Sequence, residues 1–214
     1  MSVKIKICGI TNLSDAENIA ELYPDFLGFI MYQKSPRYIK PKYAREIVNK
    51  VHRFARTVGV FVNEAPDDVI QYSRYCGFDF VQLHGDEPKE DIVYLEKQGL
   101  KVIKAFRVKD RNILKSASEY PGEYILFDAF KRGEYGGTGK SIDKGLLMEI
   151  SNNNVLMNKK LFLSGGLYSG NVRDVLSILK PYAVDASSSL ESSPGIKDIG
   201  KVKAFINEVR SFSV

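Results

Sequence analysis

Eight times along the chain, a short run of β-branched and aromatic residues gives way to a longer segment of helical period. The apolar runs are Ile5 to Cys8, Phe26 to Ile30, Arg56 to Val62, Phe78 to Leu83, Lys101 to Phe106, Tyr124 to Phe127, Lys160 to Leu163 and Tyr182 to Val184. Each has the length of a strand, and the spacers have the length of helices. Strict alternation of this kind calls for parallel strands, because a parallel neighbour needs a crossover and a helix supplies it. Eight units in 214 residues sit at the small end of the α/β class that closes into a (β/α)8 TIM barrel, here one catalytic domain over residues 1–214. An open doubly wound sheet would carry fewer strands and a glycine-rich dinucleotide turn after the first. This chain instead runs into Cys8-Gly9-Ile10-Thr11, with no GxGxxG.

Local signals agree with the alternation. Ala16, Ile19, Ala20 and Leu22 recur near helical spacing after Asn12 or Ser14, either of which is a suitable cap. Pro66-Asp67-Asp68 and Pro88-Lys89-Glu90-Asp91 read as first helical turns, with early proline and with acids facing the positive dipole end. Gly77 and Gly99 fall where left-handed helix ends are expected.

Composition narrows the function classes. Lys plus Arg exceeds Asp plus Glu by 31 − 26 = 5, a balance that suits an anionic substrate. The charge is spread along the chain with no basic stripe, so nucleic acid is not expected as a partner. The two cysteines, Cys8 and Cys76, form no CxxC, which argues against a zinc site and a disulfide framework and suits a reducing compartment. The amino terminus alternates apolar and charged residues, and no run is long enough to span a bilayer, so the expectation is a cytoplasmic protein with no membrane partner.

A barrel places its chemistry at the carboxyl ends of the strands, often with phosphate held after strands seven and eight. The polar residues there are Cys8, Asn12, Arg37, Asn63, His84, Asp86, Asp128, Gly136-Gly137-Thr138-Gly139-Lys140, Ser164-Gly165-Gly166 and Asp185 to Ser189. Gly165 and Gly166, with Ser187 and Ser188, offer amides and hydroxyls to a phosphate. The glycine-rich segment containing Gly137 and Gly139 lacks Walker spacing and reads as a loop that folds over substrate. Cys8 and Asp128 end strands that can face each other across the mouth, as an acid–base pair would. General-base work by a thiol calls for a pKa below the free value of about 8.5. Arg37 is suited to clamp a carboxylate or to make a surface ion pair. His84 and Asp185 line the pocket, and with two histidines in the chain a metal site is not expected.

These residues carry a resemblance. Lys6-Ile7-Cys8-Gly9-Ile10-Thr11, Gly28-Phe29 with Ser35-Pro36-Arg37-Tyr38-Ile39, Val58 to Asn63, Gln82-Leu83-His84-Gly85, Gly136 to Lys140 and Leu163 to Leu167 resemble, in order, the phosphoribosylanthranilate isomerase family of tryptophan biosynthesis. The resemblance implies a barrel that performs an Amadori rearrangement of a small phosphorylated substrate without a cofactor. It implies Cys8 as general base, Asp128 as general acid and Arg37 facing the anthranilate carboxylate. One departure stands out: Ser189 replaces a glycine of the family's strand-eight loop, which predicts strain if that position requires positive φ. The related Amadori isomerase of histidine biosynthesis would call for an aspartate at Cys8, and indole-3-glycerol-phosphate synthase for a lysine and glutamate constellation that is absent. A non-catalytic barrel that binds a phosphorylated metabolite is the alternative of a different class. Either a monomer or a homodimer is compatible with the sequence.

Overall fold

The computed structural model describes residues 2–108, 111–128 and 144–212. In chain order the elements are β1 (Lys4–Cys8), α1 (Leu13–Ala20), β2 (Phe26–Ile30), α2 (Pro41–Val51), β3 (Arg56–Phe61), α3 (Pro66–Cys76), β4 (Phe80–Leu83), α4 (Lys89–Lys97), β5 (Val102–Arg107), α5 (Ile113–Ser118) and β6 (Tyr124–Asp128). After these come α6 (Lys144–Ser151), α7 (Asn154–Met157), β7 (Lys160–Ser164), α8 (Val172–Ile178), β8 (Ala183–Ala186), a 3-10 turn (Ser188–Leu190), β9 (Glu191–Ser193), β10 (Ile196–Lys197) and α9 (Ile199–Phe212). Strands β1 to β8 pair in sequence order, all parallel, and β8 returns to β1 to close the barrel. The seam pairs Lys4 with Ala183, Lys6 with Asp185 and Ile7 with Ala186. This is the (β/α)8 fold expected from the alternation.

Both faces of each strand are buried, as a helix-covered parallel sheet requires. Ile5, Ile7, Leu27, Phe29 and Val81 face outward into the layer shared with the helices. Cys8, Phe26, Val58, Val60, Phe80, Ile103, Ala105, Leu126 and Phe162 face inward. The lower barrel is filled by rings in edge-to-face contact, with Phe26 against Phe80 at 5.6 Å and against Phe162 at 5.3 Å. At the amino-terminal ends of the strands, Lys4, Arg56, Lys101 and Lys160 lie over rings of this cluster.

The expected caps are largely in place. Asn12 is the α1 cap, its Oδ1 accepting from Asp15 N at 2.8 Å, and the helix therefore starts at Leu13. Pro66 opens α3 and Gly77 ends it at φ 76°. Pro88 stands one residue ahead of α4, at the cap position, and the first turn begins at Lys89. An element not foreseen is the antiparallel β9–β10 hairpin between β8 and α9. Among the described residues, no helix is long and apolar enough to cross a membrane.

Truncating the centre of the ring cluster tests this account of the core. Phe26 is 1% exposed, and Phe26→Ala should lower stability by about 3–5 kcal/mol, read as a fall in the urea unfolding midpoint with unchanged slope.

Candidate active site

Cys8 is the last residue of β1, and it points into the barrel above Lys6. Gly28 on β2 makes room for it, since a Cβ at that position would come within 2.7 Å of Cys8 Sγ. Lys6 is fully buried, and its ammonium donates to both oxygens of Asp185 at 3.0 Å. Burial opposes charge on Lys6, yet Asp185 and Cys8 together outweigh it and hold the lysine pKa above its ordinary value. Burial pushes Asp185 upward, with Lys6 pulling the other way. The thiol departs from expectation. Burial pushes Cys8 up rather than down, and the nearby ammoniums of Lys6 and Lys197 offset this only in part.

Across the mouth, Asp128 ends β6, with its side chain partly exposed. His84 Nε2 lies 3.3 Å from Asp128 Oδ2, and Gln82 Nε2 donates to His84 Nδ1 at 2.7 Å. That donation leaves Nδ1 as the acceptor and turns the Nε2 proton toward Asp128. Gln82 is itself buried, and its Oε1 has no partner. Below the histidine, the loop after β4 is built around Glu87, which accepts from Asn63 N at 2.9 Å, from Gly85 N at 2.9 and 3.0 Å, and from Lys104 Nζ at 2.6 Å. A Cβ at Gly85 would approach Asn63 Oδ1 to 2.2 Å, so only glycine fits there. Asn63 and Asp86 thus shape the loop: Asp86 N donates to Asn63 Oδ1, and the Asp86 carboxylate takes Arg107.

Arg37 is engaged by a protein carboxylate, with Nε donating to Glu191 at 2.8 and 3.1 Å and Nη2 at 2.7 Å. The geometry is bidentate and mostly buried, so this is not a surface ion pair. Nη1 is the nitrogen not spent on Glu191. Glu191 also receives Lys197 Nζ at 2.9 Å, and that ammonium reaches Ser187 O at 3.2 Å. A Cβ on Gly9 would come within 2.9 Å of Ser187 Oγ and 3.0 Å of Arg37 Cδ, which shows how closely the loops after β1, β2 and β8 meet.

After β7, Gly165 and Gly166 take φ of 116° and 66°, conformations that side chains resist. Asn171 braces this loop by accepting from Tyr168 N at 2.9 Å and donating to Gly166 O at 3.0 Å. After β8, Ser187 Oγ is buried without a partner, and Ser188 is exposed. Ser189 is not strained: it sits in the 3-10 turn outside the positive-φ region, and its hydroxyl donates to Leu167 O. The expected strain is therefore absent, and the serine ties the loops after β7 and β8 together.

The strand ends thus gather Cys8, Asp185, Ser187, Arg37, His84 and Asp128 at one mouth. Gly137 and Gly139 lie outside the described residues. Sequence reasoning missed Lys6, Gln82, Glu191 and Lys197. Lys6 could have been found, because in a closed barrel the inward residue two positions before the end of β1 must also be buried. A cavity of about 510 Å³ opens beside Lys104, Phe106, Arg107 and Asn112, and it touches neither Cys8 nor Asp128. It lies at the end of β5, beside the strand end that carries Asp128. Among the described residues, no three His, Cys, Asp or Glu side chains converge as metal ligands would.

Residues 5–208 match the family model described as N-(5'phosphoribosyl)anthranilate (PRA) isomerase. The N-(5'-phosphoribosyl)anthranilate isomerase of Trichlorobacter lovleyi is 43% identical over 208 residues, covering 97% of this chain and 98% of the relative. The crystal structure of phosphoribosyl anthranilate isomerase from Thermotoga maritima superposes with a TM-score of 0.89 at 41% identity, covering 98% of this chain and 99% of that one. A second structure of such an isomerase, in complex with reduced 1-(o-carboxyphenylamino)-1-deoxyribulose 5-phosphate, gives a TM-score of 0.86 at 38% identity, with coverage of 98% and 99%. With a match that runs through every strand of the barrel, this chain belongs to the N-(5'-phosphoribosyl)anthranilate isomerase family.

Proposed function

We propose that this chain isomerises N-(5'-phosphoribosyl)anthranilate to 1-(2-carboxyphenylamino)-1-deoxyribulose 5-phosphate in tryptophan biosynthesis, with Cys8 as general base and Asp128 as general acid. One observation carries the division of roles: a buried thiol and a carboxyl end β1 and β6 on the inward side of the same closed barrel. Asp128 gives a proton to the furanose ring oxygen as the C1'–O bond breaks, and the nitrogen lone pair forms the iminium. Cys8, as thiolate, takes the C2' proton; the C–H electrons become the C1'–C2' double bond, and the iminium electrons return to nitrogen. The enol then loses its hydroxyl proton and gains one at C1' to give the ketone. Atoms and electrons balance within the substrate, so the chemistry requires neither cofactor nor metal.

Phosphate is assigned to Gly165, Gly166, Ser187 and Ser188. The left-handed glycines and the unpaired Ser187 hydroxyl support this. Arg37 faces the anthranilate carboxylate through Nη1, held in place by Glu191. Asp185 and His84 complete the pocket. The protein works in the cytoplasm on a small molecule, with no nucleic-acid partner, as a monomer or as a homodimer. The Thermotoga maritima relative is described as dimeric.

The test is loss of substrate fluorescence on adding purified protein. A non-catalytic barrel would bind the substrate without that loss. Cys8→Ala and Asp128→Asn should each lower kcat by about 10²- to 10⁴-fold with a much smaller change in KM, because both groups act in the transition state. Near-normal kcat in either variant refutes the role given to that residue. EDTA should leave turnover unchanged. Ser189→Ala removes the tie between the phosphate loops and should raise KM about fivefold, the equivalent of one hydrogen bond of about 1 kcal/mol, at nearly constant kcat in steady-state assays.

A further inference from the structure

The proposed base is buried, and burial favours the neutral thiol. Something must favour the thiolate. Lys6 and Cys8 are two residues apart on β1, so their side chains share the inward face, with about 7 Å of strand between them. Lys6 is completely shielded from solvent, and its Nζ is held at 3.0 Å from each oxygen of its register partner Asp185. The electrostatic effect of the pinned ammonium on the Cys8 thiol favours its charged form.

Charged groups around the thiol come from several elements. Lys6 on β1 and Lys197 on β10 favour the thiolate, and Asp185 on β8 opposes it. Arg37, after β2, and Lys197 both share the carboxylate of Glu191. His84 and Asp128, from the β4 and β6 ends, act on Asp185 with opposite signs. Lys6 differs from the other cations in being held directly beneath the thiol by a partner on the closing strand.

We propose that Lys6 is a positioning residue for Cys8: pinned by Asp185 beneath the thiol, its ammonium stabilises the thiolate inside the barrel. Lys6 touches no substrate and acts only through Cys8. The inference rests on Cys8 as the base, but its test reads the thiol rather than turnover.

The experiment is an ultraviolet titration of the Cys8 thiolate, taken as the difference between each protein and its Cys8→Ala counterpart. Cys76, pushed up to about 11 by burial, cancels in the difference. Lys6→Met should raise the Cys8 midpoint by about one pH unit or more, equivalent to a tenfold loss of thiolate below the midpoint. That variant leaves Asp185 as an unpaired buried carboxyl, so Lys6→Met/Asp185→Asn is measured beside it as a barrel without the buried charges. Its midpoint should also lie above that of the unmodified protein, by a smaller margin. In both variants kcat should fall with little change in KM. An unshifted midpoint in the folded double variant overturns the proposal, even if activity is lost, because Lys6 would then be structural only. If Cys8→Ala retains turnover while Lys6→Met still moves the midpoint, the catalytic reading of Cys8 fails and the hold of Lys6 on the thiol stands.

Discussion

The closing contact of the barrel, β1 on β8, is the interaction on which the rest depends, and its register places Lys6 opposite Asp185. A closed barrel has no sheet edges, and its interior is packed with side chains. A charge there is tolerated only with a partner. Breaking such a pair from one side costs about 3–5 kcal/mol, whereas two apolar residues of similar size hold a seam equally well. Stability alone therefore gives no reason for this pair in preference to leucines. What apolar residues cannot supply is a fixed positive charge two positions below the residue that ends β1.

Around the mouth, buried carboxylates build the loops. Glu87 gathers two backbone amides and the Lys104 ammonium, tying the ends of β3, β4 and β5. Glu191 does the same for the β2 and β8 ends through Arg37 and Lys197. Burial alone would push the Glu191 carboxyl up, but Arg37 and Lys197 outweigh it and hold it below the usual range. A depressed folded pKa contributes stability that is present above the ordinary carboxylate value of about 4.3 and lost as pH falls through the folded value. At neutral pH the network is intact. Its geometry also explains why an arginine that looked open in the sequence is already occupied.

The strands, the Asn12 cap and the Gly77 helix end were legible because they depend on local spacing and local backbone geometry. The mouth residues Cys8, His84, Asp128 and Asp185 were legible because barrel topology says where strands end. Contacts between distant segments were not. Arg37 and Glu191 are 154 positions apart, and Lys6 and Asp185 are 179 apart, so no window of sequence shows either pair. The backbone at Ser189 was undecided in the sequence for a related reason: it lies in a 3-10 turn ahead of a hairpin whose Lys197 N is anchored to Asp15 in α1, 182 positions away.

The two ends of the proposed acid–base pair sit in different electrostatic surroundings. Cys8 lies among ammoniums, Lys6 below it and Lys197 beside it, in a part of the barrel that excludes water. Asp128 faces a histidine whose second nitrogen is occupied by the Gln82 amide, at a half-open strand end. Cations favour a base in its charged form. A phosphorylated substrate brings negative charge to both ends and disfavours the thiolate most, because the thiol is the more deeply buried group and the dielectric there screens least. The fixed cation therefore belongs on the Cys8 side, and the seam that closes the barrel holds an ammonium below that residue without exposing it to solvent.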